Sequence, residues 1–128
     1  MPRTLATAAI LATALAAGTP AQAFTATNGL VVDPSGGDGF AVPWRGESAP
    51  SAFWCAAGDY VIRGLGLPPS TRVYRTSPVP RPRGGAVAFA LTAEAAVEPG
   101  LLVTGSPDRG LSAAHARALC LEPRLDPG

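Results

Sequence analysis

Lysine is absent from this 128-residue chain: all ten basic residues are arginine, beside one histidine, one methionine and two cysteines. The Gly-rich stretch at 35–39 therefore lacks the lysine and the following helix that a phosphate loop requires, and it reads as a turn. No Gly-x-Ser-x-Gly nucleophile elbow occurs, which removes the commonest sequence sign of a serine hydrolase. No apolar run reaches the roughly 20 residues that a membrane-crossing helix needs. No internal repeat is visible. With alanine, glycine and proline abundant, the all-arginine usage reads first as GC-rich coding and second as selection for the guanidinium group.

The N-terminus has three zones: Arg3 with the free amine, an apolar run over 5–17, and then Gly18-Thr19-Pro20. That is the layout of a secretory signal peptide over 1–23. Ala21-Gln22-Ala23 offers small residues where signal peptidase selects them, so cleavage is expected after Ala23. Thirteen residues are too few for a membrane anchor. No cysteine sits at the cleavage site to take a lipid, and no twin arginine precedes the apolar run. The expectation is Sec-type export to the periplasm or beyond.

Residues 24–128 suit one small domain, and at that size a covalent staple helps. Cys55 and Cys120 both lie in the part expected to meet an oxidising compartment, so a disulfide is the economical reading. Closing a loop of about 66 residues corresponds to about 4 kcal/mol by chain entropy, an upper figure.

Period-two alternation and β-branched content place strands at 24–32, 40–44, 71–76 and 86–91, with a further short one at 101–104. Phe40, Val42 and Trp44 fall on one face of the second. Between 48 and 65 the apolar residues cover more than half of a helix circumference, which requires a largely buried helix. Ser48 offers a capping hydroxyl, and Pro50 suits the first turn. Ala56, Asp59 and Arg63 form the remaining stripe, where Asp59 and Arg63 are expected to make a surface ion pair. Ala56-Ala57-Gly58 would let another element approach closely. Ser112 caps an Ala-rich helix to about 121, and the chain from 123 looks frayed. The sum is an α+β domain: a small antiparallel sheet packed on a central buried helix, with a short C-terminal helix tied on by the disulfide.

Phe53-Trp54-Cys55-Ala56-Ala57-Gly58-Asp59-Tyr60, Thr71-Arg72-Val73-Tyr74 and Ala114-His115-Ala116-Arg117-Ala118-Leu119-Cys120 together resemble a family of small exported proteins of GC-rich alphaproteobacteria. The resemblance covers most of 24–120, and the W-C-A-A-G-D-Y block is its most specific part. It implies a periplasmic setting and pairing of the two cysteines. That family has no established activity, so the resemblance implies no catalytic residue.

His115 is the one histidine and the starting point for any acid/base proposal. Beside alanines on a helix, it reads first as a packing or capping side chain. Five residues separate it from Cys120, which puts the two on different helix faces, and a disulfide consumes the thiolate that zinc would need. No metal or other cofactor is expected. Nothing brings Asp59 and Glu94 together as a catalytic pair. Trp44 and Trp54 both fit core packing at the period of their elements, with Trp44 the nearer to the surface.

With Arg3 removed, nine arginines face nine acids. The stretch 60–93 nevertheless holds five arginines and no acid, leaving four arginines against nine acids elsewhere. Such asymmetry can orient a partner. Arg72 and Arg75 fall on opposite faces of their strand. Arg81 and Arg83 share one side of the Pro-rich loop at 77–85, which is expected to run extended. A solvated connector is the plain reading of that loop. The alternative is an anion-facing patch of Arg72, Arg75, Arg81 and Arg83 for an acidic envelope polymer, a lipid head group or a protein. Nucleic acid does not suit a neutral exported chain. The expected function is a non-enzymatic binding or modulating domain for an envelope partner; the alternative is a small hydrolase-like enzyme using His115.

Overall fold

The computed structural model describes residues 22–101 and 108–121. Residues 1–21 of the leader expected over 1–23, the strand read at 101–104 beyond Leu101, and residues 122–128 with the tail expected to fray from 123 lie outside the described residues. The chain folds as the expected α+β domain. Six strands, β1 (Phe24–Thr25), β2 (Val31–Pro34), β3 (Gly39–Val42), β4 (Arg72–Arg75), β5 (Val87–Ala90) and β6 (Leu111–Ser112), form one antiparallel sheet in the order β1-β2-β3-β5-β4-β6. Helix α1 (Pro50–Asp59) continues into a π-helical turn over Tyr60–Gly64, and α2 (Ala113–Ala118) ends in a 3₁₀ turn over Leu119–Leu121.

The segment read as one strand over 24–32 is a hairpin. Ala26 N–H donates to Leu30 O (2.8 Å) and Gly29 N–H to Ala26 O (2.9 Å), with Gly29 at φ 85°. A left-handed residue in the middle of the segment suits glycine and breaks the strand. Phe24 then pairs with Val32. On β3, Phe40 and Val42 point into the core as expected, but Trp44 lies beyond the strand end, 44% exposed. Its Nε1–H donates to Ser48 Oγ (3.2 Å). Ser48 is therefore not the α1 cap: the N-cap is Ala49, with no side-chain cap, and Pro50 opens the first turn. Ser112 does cap α2, accepting from His115 N–H (3.1 Å).

The core is built on α1 and the turn that follows it, buried from Phe53 through Val61 with Asp59 the one charged residue in that run. The rings of Phe24, Tyr60, Phe40, Phe89 and Trp54 follow one another at centroid distances of 4.8–5.7 Å, in tilted and offset geometries that aromatic pairs favour. Trp54 is fully buried, and its Nε1–H finds Pro99 O at 2.8 Å. Cys55 and Cys120 are bonded, with Cα atoms 4.8 Å apart, so the disulfide ties the end of the C-terminal helix to α1. Gly58 is where α2 docks. A Cβ there would stand 2.7 Å from Ala113 O and 2.8 Å from Ala116 Cβ, so only a bare Cα permits the approach.

That docking overturns the expected exposed stripe of α1. Ala56 and Asp59 are fully buried, because α2 lies over them. Asp59 accepts from Thr27 N–H (2.9 Å) in the β1–β2 turn and from Arg63 Nε (2.7 Å) and Nη2, while Arg117 Nε of α2 stands 3.4 Å away. Burial alone would raise its pKa. The Arg63 hydrogen bond, the Thr27 N–H and the two positive charges outweigh that effect and hold the carboxyl below its ordinary range. The expected surface pair is a buried clamp joining three segments.

Candidate anion-binding site

Arg75 closes β4 on the same face as Val73, opposite Phe89 of β5, and is 3% exposed. A buried guanidinium ordinarily has a carboxylate beside it. Arg75 has none among the described residues. Its Nε donates to Ser77 O (3.0 Å) and its Nη2 to Pro78 O (2.9 Å), while Nη1 finds no acceptor among the described residues. Burial, and then repulsion from Arg81, push its pKa down. Arg75 lines a cleft of about 220 Å³ between the start of α1 and the Pro-rich loop, with Ser48, Phe53, Arg81 and Val87 also in its wall. A Cβ at Gly100 would lie 2.9 Å from Nη1, so only a bare glycine lets that backbone come so close to the guanidinium.

Arg81 comes to the same cleft from the loop. Its Nη1 donates to Pro82 O (3.1 Å) and Gly85 O (2.9 Å), and its guanidinium carbon lies 5.2 Å from the centre of the Phe53 ring. A cation over an aromatic face is favourable by about 0.5–1 kcal/mol at such a site. The loop is not the extended arm expected from its prolines. It folds back at Pro82–Gly85, where Gly85 N–H donates to Pro82 O (2.8 Å) and Gly84 takes φ 74°. Arg83 is exposed.

The four arginines singled out in the sequence therefore separate. Arg75 and Arg81 share one cleft, Arg83 stands in solvent, and Arg72 belongs to a different network. Arg72 Nε donates to Asp108 Oδ2 (3.2 Å) and its Nη2 to Asp108 Oδ1 and to Gly110 O (2.7 Å), while Tyr74 O–H donates to Asp108 Oδ2 (2.8 Å). The Arg72 and Tyr74 hydrogen bonds hold the Asp108 carboxyl well below the usual range. Arg72 is thus neutralised within the fold, as Arg63 is by Asp59.

Arg75 was legible only as a charge on a strand; its burial beside Arg81 depends on the β4–β5 pairing. Ser48, Phe53 and Gly100 gave no sequence sign of lining a site. His115 is exposed on α2 and lines none of the three clefts described in this structure. Among the described residues no group of His, Cys, Asp and Glu could hold a metal ion, and no helix is long and apolar enough to cross a membrane. The two other clefts, about 480 Å³ beside the disulfide and about 440 Å³ beside the β2–β3 turn, have mainly apolar walls; the one arginine between them, Arg117, already faces Asp59. No family model, curated protein or solved structure matches the chain.

Proposed function

We propose that this is an exported periplasmic protein that works by binding rather than catalysis, taking an anionic group of an envelope partner between Arg75 and Arg81. The observation that carries this reading is a buried guanidinium with no carboxylate partner among the described residues, in the wall of a cleft that a second guanidinium shares. Two cations facing one small space repel, and an incoming anion relieves that repulsion while replacing the missing counter-charge. Guanidinium groups recognise carboxylate and phosphate through paired N–H donors, which a point charge does not reproduce. Arg83, outside the cleft, adds long-range attraction. The zoned pattern over 1–23 and the resemblance to small exported proteins support the periplasmic setting. An acyl-transfer enzyme needs a nucleophile and a base in reach of one another, and His115 is not among the residues of this cleft.

The test compares the wild type with Arg81→Ala/Arg83→Ala by cross-linking in the native periplasm and by pulldown at low and moderate salt. Arg83 is exposed and Arg81 touches the core only through its guanidinium over Phe53, so the variant should fold with a stability loss of about 1 kcal/mol or less. The partner captured by the wild type should be lost from the variant and weakened by salt, since the Debye length shrinks to about 8 Å at 0.15 M. Identical captured sets would reduce the loop to a connector and remove the binding reading.

A further inference from the structure

The donors left over in the cleft, and its walls, narrow the kind of anion. Arg75 has used Nε and one Nη2 proton on carbonyls and keeps the other Nη2 proton and both protons of Nη1; Arg81 has used both Nη1 protons and keeps Nε and Nη2. Ser48 Oγ accepts from Trp44, which leaves its own proton to donate. The adjoining start of α1 contributes little, because Pro50 has no N–H and Ala52 N–H is turned back on Ala49 O (3.0 Å). Everything else that bounds the space is apolar: Phe53, Val79, Pro80 and Val87.

Resting on the anion-binding reading above, we propose that the group taken is a carboxylate carrying a short apolar substituent, its oxygens between Arg75 Nη1 and Arg81 and its hydrocarbon against Phe53, Val79 and Val87. The free donors of Arg75, Arg81 and Ser48 are enough for the two oxygens of a carboxylate. A phosphate brings up to a second charge to bury against an apolar wall, which is costly. A volume of about 220 Å³ corresponds to about seven waters of liquid, enough for the carboxylate and a short branched or cyclic hydrocarbon. The same chemistry has two sources, a small free acid and the C-terminal residue of a peptide ending in a small apolar side chain.

Residues 24–128, with the disulfide formed, would be titrated by NMR at low chloride with isovalerate, benzoate, an N-acetyl dipeptide ending in valine, the C-terminal amide of that dipeptide, and inorganic phosphate. At least one carboxylate should shift resonances around Phe53, Arg75 and Val87. The amide and phosphate should bind at least ten-fold more weakly. Saturation by isovalerate or benzoate alone identifies the free-acid source, and preference for the dipeptide identifies the peptide source. Arg81→Gln, whose melting temperature should stay within a few degrees of the wild type, should weaken carboxylate binding at least ten-fold; Arg75→Gln, used where its circular dichroism is native, should do the same. Phosphate binding as tightly as the carboxylates would overturn this inference and leave anion binding standing, as would a periplasmic partner that depends on Arg81 and Arg83 when no small carboxylate binds. Carboxylate binding unchanged by Arg81→Gln would put the site elsewhere. Absence of binding by every probe, together with identical captured sets in the pulldown, would end both readings.

Discussion

Asp59 holds one contact from each of three separate parts of the chain, the Thr27 N–H, the Arg63 guanidinium one helical turn on, and Arg117 of α2. Removing its carboxylate leaves partners that can turn to water: Arg63 and Arg117 have side chains 45% exposed, and Thr27 is an exposed residue. Asp59→Ala should therefore cost about 1–3 kcal/mol, the worth of hydrogen bonds to a charged group, rather than the larger figure for an abandoned buried charge; urea unfolding at pH 7 measures it. The pH dependence follows from the same residue and from Asp108. Both carboxyls titrate lower in the folded chain than in the unfolded one, where they take up protons near pH 4. Stability is thus fully present above about pH 4 and falls as the pH drops further, because the unfolded chain binds protons first. Urea midpoints at pH 7 and pH 3 should differ less in Asp59→Asn than in the wild type. The Asp59–Arg63 spacing was visible in the sequence; the burial of Asp59 was not, because it comes from Arg117 and Thr27, which only the tertiary fold delivers.

Among the elements, the apolar period of α1, the β4 and β5 segments and the capped start of α2 were all legible, since each is long enough, or chemically marked enough, to show its pattern. Strands of two residues are not. β6 exists because Arg72 and Val73 find Ser112 and Leu111 across from them, and β1 exists because Gly29 turns the chain; neither spans enough residues to alternate. The Ala56-Ala57-Gly58 trio did announce a close neighbour, and α2 is that neighbour. Gly58→Val should push its Cβ into the α2 backbone at Ala113 and Arg117, atoms that cannot swing aside as a side chain tip can. A loss of about 1–3 kcal/mol is expected for such overpacking, read by thermal unfolding. The disulfide acts on the same contact from the other end of α2. Cys120→Ser should lower stability by about 2–5 kcal/mol, and mass spectrometry of the oxidised wild type should find no free thiol. Two freely reactive thiols would contradict the bond.

For the molecule as a whole, the charge asymmetry read along 60–93 survives in a narrower form: Arg63 and Arg72 are neutralised inside the fold, and the polarity collects at Arg75, Arg81 and Arg83. The proposed export adds a boundary condition. Gln22 and Ala23 are exposed, whereas Phe24 is the first residue to pack, its ring 5.6 Å from Tyr60 and under the Arg63 guanidinium at 5.0 Å. Phe24 also opens the β1 pairing, opposite Val32. Cleavage after Ala23 would leave that packing in place, while cleavage one residue later would strip a ring from the aromatic chain and expose Tyr60. Intact-mass measurement and N-terminal sequencing of the exported protein should therefore return Phe24 as the first residue. A version beginning at Thr25 should fold with lower stability, by roughly 1–2 kcal/mol for the lost half-buried aromatic side chain and its cation contact. A product still beginning at Met1 would end the export proposal, and equal stability of the two versions would mean that Phe24 contributes nothing to the packing and that the cleavage point is set by the Ala21-Gln22-Ala23 triplet alone.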